Sequence, residues 1–200
     1  MAPCGSEANA ANPDIYVTGP RAILPGLYLG SAANATDQAH LATLGVSFVV
    51  NVAKELGPGG DGEHAAAIAA AVGQNAHETL HVPWTHAGPL EPSLTATLDA
   101  LHRAHATEGR TVLVHCAQGV SRSATLVVAY VMLKENWPWA RAYAYVKSRS
   151  ESVCPNVGLV GEVLAWDAER RESPAAGPAA GPAAVTAAGP AAVHATPLEP

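Results

Sequence analysis

Residues 115–123, "HCAQGVSRS", set one cysteine six positions before an arginine, with a glycine midway and a serine immediately after. A thiolate at Cys116 is a strong nucleophile. A turn eased by Gly119 and backed by a helix N-terminus gathers backbone N–H groups into an anion site. That field also favours thiolate over thiol at Cys116. The planar guanidinium of Arg122 grips two oxygens of a bound oxyanion at once. Together these side chains predict a nucleophile at the floor of a cradle for a tetrahedral anion.

Such a loop works only if a strand ends at the cysteine and a helix begins near the arginine. "TVLVH" (111–115) is β-branched and continuously apolar, as a strand covered on both faces should be. Ala124, Val127, Val128 and Val131 follow at helical spacing. Upstream, "AILPGLYLGS" (22–31) reads as a short strand pair split by Pro25–Gly26, "DQAHLATLG" (37–45) as a helix closed by Gly45, and "VSFVVNVA" (46–53) as a strand. "GPGGDG" (57–62) reads as a loop, the alanine-rich segment after it as helical, and "ETLHVPW" (78–84) as a strand. Leu94, Leu98 and Leu101 mark a helix with one buried face, and further helices are expected near 138–150 and 157–170. Alternating strands and helices predict an α/β fold, a mainly parallel central sheet flanked by helices, with its ligand site at the carboxyl ends of the strands. Cys116 falls at one of those ends.

The nine-residue loop resembles the active-site loop of dual-specificity phosphatases in the Cys-based protein tyrosine phosphatase superfamily. "LPGLYLGSAANA", "LGVSFVVNVAKE", "HVPW", "VLVHCAQGVSRSATLVVAYVM" and "AYAYVKSRSESVCPNVGLVGEVLAWD" are similar to that family's blocks in the same order, over roughly 20–170. The resemblance implies a protein tyrosine phosphatase-like single domain that hydrolyses phosphotyrosine and phosphoserine/threonine in proteins. Cys116 would attack phosphorus and form a phosphocysteine, which water then hydrolyses. The N–H groups of Ala117, Gln118, Gly119, Val120, Ser121 and Arg122, with the Arg122 side chain, would hold the phosphoryl oxygens. Ser123 would stabilise the thiolate as it leaves, His115 would orient the loop and favour the thiolate, and Asn51 and Asn156 would brace it. No metal or organic cofactor is implied.

The sequence departs from this pattern at the proton donor. The family's general acid is an aspartate in a stretch like Val-Pro-x-x-Asp, whereas "VPWTH" puts His86 there. Three readings stay open: His86 itself donates the proton, since imidazole titrates near neutrality; Glu91 in the same loop replaces it; or no acid acts and only good leaving groups turn over. A phosphoprotein-binding module with feeble turnover is therefore a rival. A phosphatase of non-protein phosphate esters is another, although "AQGVS" lacks the basic residues such enzymes usually carry inside the loop.

The 200-residue chain carries a net charge of −6, which argues against nucleic acid or an anionic membrane as its main partner. No apolar run is long enough to span a bilayer, and "MAPCGSEANAANPD" has no signal-peptide pattern. Three cysteines, Cys4, Cys116 and Cys154, form neither a close metal pair nor an even-numbered disulfide framework. A reducing compartment is expected, the cytoplasm with the nucleus also open. The organisation expected is a flexible segment over 1–13, a catalytic domain over 14–171, and an Ala/Gly/Pro-rich disordered tail over 172–200. Oligomeric state leaves no mark in the sequence.

Overall fold

The computed structural model describes residues 15–57, 78–90 and 92–172. The terminal segments, the alanine-rich stretch expected to be helical, and Glu91 lie outside the described residues.

The strand pair expected at 22–31 is present as β1 (Arg21–Leu24) and β2 (Leu27–Gly30), antiparallel and joined at Gly26, which takes φ +77°. Strands β3 (Val46–Asn51), β4 (Glu78–His81) and β5 (Thr111–His115) complete a five-stranded sheet in the order β1-β2-β5-β3-β4. Every pairing except β1–β2 is parallel. The central strand β5 is buried on both sides, which is what its unbroken apolar run requires.

Helices cover both faces. A short α1 (Ala32–Thr36) and α2 (Gln38–Thr43) pack Ala35 and Leu41 against Val46, Val49 and Leu113. The other face carries α3 (Ser93–His102), which continues into a π-helical turn at Arg103–Thr107, then α4 (Arg122–Glu135), α5 (Trp139–Arg149) and α6 (Val157–Glu172). Leu94, Leu98 and Leu101 of α3 are buried as their spacing predicts. Residues Thr125 through Met132 of α4 are completely buried, so this helix forms the spine of the larger core. Asp99 lies on the exposed side of α3.

The register sets the site. Asn51 of β3 and Gly30 of β2 both align with His115 of β5, so the parallel strands end together beside Cys116.

Candidate active site

Between β5 and α4 the chain makes a loop whose carbonyls are almost all bonded away from its centre. His115 O accepts from Val52 N at 3.0 Å, Ala117 O from Ala32 N at 3.0 Å, and Val120 O from Cys154 N at 2.8 Å. Gly119 O accepts from the Tyr16 hydroxyl at 2.9 Å, and Ser121 O from Thr125 N at 2.7 Å. The C=O and N–H of a trans peptide point in opposite directions. Holding these carbonyls outward therefore turns the N–H groups of Gln118, Val120, Ser121 and Arg122 toward the loop's interior. Gly119 takes φ +74°, and a Cβ there would lie 2.5 Å from the Tyr16 ring and 2.6 Å from Gly30 O. Only glycine fits both constraints.

Cys116 is a free, buried thiol at the base of this loop. Its Sγ accepts from Gly119 N at 3.3 Å and from the Ser123 hydroxyl at 3.2 Å. Both donors converge on the sulfur that would react. His115 is completely buried; burial pushes its imidazole down to about 4, so it is neutral at physiological pH. Its Nδ1 lies 3.3 Å from Cys116 O, a contact that orients the loop, and its Nε2 has no partner among the described residues.

Arg122 opens α4 and is 1% exposed. Nη1 donates to Glu55 Oε2 at 2.6 Å and to Trp84 O at 3.1 Å. Nη2 donates to Glu55 Oε1 at 2.5 Å and faces His86 Nε2 at 3.2 Å. The N–H bonds of both terminal nitrogens are thus engaged, while the buried Nε–H has no partner among the described residues. That Nε–H and the converging amides are the donors left for an oxyanion.

A guanidinium has no acceptor, so in this contact Arg122 Nη2 donates and His86 Nε2 accepts. The ring is exposed. An imidazolium at the same place would set N–H against N–H and cation against cation. To deliver a proton, His86 must turn away from Arg122. Glu91 lies outside the described residues.

Glu55 is the functional candidate that the sequence reading missed. It sits on a 3-10 turn, Lys54–Leu56, and reaches Arg122 across 67 positions. The Arg122 guanidinium hydrogen-bonded to it holds its carboxyl below the usual range, so it stays ionised and serves poorly as an acid. Asn51 acts here rather than on the cysteine loop: Nδ2 donates to Leu56 O at 3.0 Å and Oδ1 accepts from Ala53 N at 3.0 Å, fixing the turn that carries Glu55. Asn156 does touch the loop, its backbone N donating to Ser121 Oγ at 3.0 Å, while its Oδ1 accepts from Gly158 N at 2.8 Å at the start of α6. Among the described residues no group of three or more His, Cys, Asp or Glu is placed to hold a metal ion.

The family model for the dual specificity phosphatase catalytic domain matches residues 27–169. The chain belongs to that family. Among its relatives are dual specificity protein phosphatase 5 of Rattus norvegicus, 34% identical over 76% of this chain and 36% of its own length, and the tyrosine-protein phosphatase MSG5 of Saccharomyces cerevisiae, 33% identical over 76% of this chain and 29% of its own. The dual specificity phosphatase match therefore spans only about a third of those two proteins. Dual specificity protein phosphatase 26 of Rattus norvegicus is matched over 68% of its length at 33% identity. Of solved structures, human DUSP28 aligns with a TM-score of 0.63 at 28% identity, covering 76% of this chain and 99% of that one. The expected fold and family membership are both borne out.

Proposed function

We propose that this chain is a cysteine-dependent phosphatase acting on phosphotyrosine and phosphoserine/threonine in proteins. The observation that carries the reading is a buried thiol held by two donors beneath inward-facing amides, next to a buried arginine with one N–H unused. In the first step Cys116 Sγ bonds to phosphorus as the P–O ester bond breaks. The Arg122 side chain and the N–H groups of Ala117 through Arg122 hold the three equatorial oxygens. In the second step water attacks phosphorus, releasing inorganic phosphate and the thiolate, which Ser123 receives by its hydrogen bond. His115 orients the loop as a neutral ring, and Asn51 and Asn156 hold the segments around it.

The leaving oxygen needs a proton unless it is a good leaving group. His86 supplies it only after turning from Arg122, so general-acid catalysis is weakened and aryl esters are favoured over alkyl esters. The same contact favours a second reading, a phosphoprotein-binding module, because a His86 held on Arg122 leaves the cradle intact without an acid. A neutral loop, "AQGVS", supports protein over phosphoinositide or RNA 5′-triphosphate substrates. No described helix is long and apolar enough to cross a membrane; a cytoplasmic location and a catalytic domain over 14–171 complete the proposal.

Phosphate release from an aryl phosphate, measured beside Cys116→Ser protein, separates the two readings. The phosphatase reading expects wild type to exceed that blank by about 10³ or more. Equal rates would establish the binding module instead.

A further inference from the structure

We propose that the exposed face of α5 is a docking site for an acidic segment of the phosphoprotein substrate, remote from the phosphorylated residue. Arg141, Tyr145 and Arg149 follow one another at steps of four residues along one face of α5, and Trp137 stands just before the helix, ahead of Pro138. The Arg141 guanidinium lies 4.0 Å from the Trp137 ring centroid, and that of Arg149 lies 3.5 Å from the Tyr145 centroid. Trp137 and Tyr145 meet edge to face at 5.4 Å, so the four side chains form one continuous stack, Arg141–Trp137–Tyr145–Arg149.

The stack is fixed from behind. Both aromatic rings pack against the main core, and the Tyr145 hydroxyl donates to Ile23 O at 3.2 Å. Arg149 Nη1 is further held by Tyr145 O at 3.2 Å and Ser148 Oγ at 3.3 Å. Stacking orients each guanidinium before a ligand arrives, which lowers the ordering cost of binding. Arg141 and Arg149 are exposed and, like Arg21 and Arg103, in no ion pair among the described residues; what sets them apart is that each is stacked on an aromatic ring of one continuous row. Shielding of the rings by the arginine stems accounts for the stacking. It does not account for two unpaired cations held eight positions apart on one helix of a chain with net charge −6.

The spacing names the ligand. Eight residues of helix separate the two arginines by about 12 Å along the axis. An extended peptide advances about 3.3 Å per residue, so carboxylates four residues apart reach both. Two cations suit such a peptide, whereas nucleic acid would require a longer run of phosphate contacts against the molecule's overall negative charge. The Arg149 end leads directly to Ser150, whose hydroxyl lies 3.0 Å from that of Tyr16, the residue bonded to the cysteine loop.

This site rests on the phosphoprotein-phosphatase reading only for the identity of its ligand, and binding can be measured without turnover. A fluorescent peptide with glutamates four residues apart is titrated at low salt into the full chain, the Arg141→Gln/Arg149→Gln double variant, and each in a Cys116→Ser background. The proposal expects the double variant to bind about fivefold or more weakly, with unchanged kcat/KM on an aryl phosphate and a melting temperature lowered by only a few degrees through the lost stacking. It also expects a peptide with glutamates two residues apart to bind more weakly than the matched one. Equal binding by the double variant, or equal binding of both spacings, overturns it. A single-stranded oligonucleotide of equal charge that binds as tightly through the same arginines overturns it in favour of a nucleic-acid surface.

Discussion

Arg122 divides its terminal nitrogens between Glu55 and His86, and that division sets what each can contribute. Glu55, ionised and bidentate, fixes the guanidinium by its two terminal nitrogens and leaves Nε–H without a partner among the described residues. Glu55→Gln removes the charge but little volume, and kcat/KM for an aryl phosphate is expected to fall about tenfold; an unchanged value would show that Arg122 needs no such partner. For His86 the expectations depend on the leaving group. His86→Ala should leave an aryl phosphate nearly unaffected, because a phenolate departs with little help. His86→Asp should raise turnover of a phosphoserine peptide by about tenfold or more. If Ala also leaves the phosphoserine rate unchanged, His86 donates no proton in the native protein.

At the scale of elements, the cysteine loop is latched by the N-terminal segment. The Tyr16 hydroxyl joins Gly119 O to Ser150 Oγ at 2.9 and 3.0 Å, and Asn34 Nδ2 holds Tyr16 O at 3.0 Å. Tyr16→Phe is expected to cost about 1 kcal/mol of stability, read from denaturant midpoints, and to lower kcat on an aryl phosphate more than it raises KM. A loss confined to stability would make Tyr16 a packing residue only. The strand before Cys116 and the helix after Arg122 were legible because their apolar residues repeat at the periods of those elements. Helix α1 was not, since its five small and polar residues carry no periodic pattern. Neither Tyr16 nor Glu55 could be read from local pattern. One meets the loop across 103 positions and the other meets Arg122 across 67, and only the completed sheet brings them there.

For the whole molecule, buried histidines tie stability to pH. His115 falls from 6.5 to about 4 through burial, and burial also lowers His105, whose Nδ1 and Nε2 lie 2.8 Å from the Tyr130 hydroxyl and from Pro25 O. Below about 6.5 the unfolded chain binds protons on these rings that the folded chain does not, so stability falls as pH drops toward about 4. For His115 the loss is on the order of 3 kcal/mol. Denaturant midpoints at pH 7 and pH 4.5 should show that fall, and His115→Asn should reduce it; a midpoint independent of pH would contradict the buried neutral ring.

Acid-quenching the protein during incubation with an aryl phosphate and mapping its peptides by mass spectrometry shows whether Cys116 carries the phosphoryl group during turnover. One phosphoryl group is expected on the peptide containing Cys116, absent in Cys116→Ser protein. Continued phosphate release with no phosphoryl group on Cys116 would contradict it.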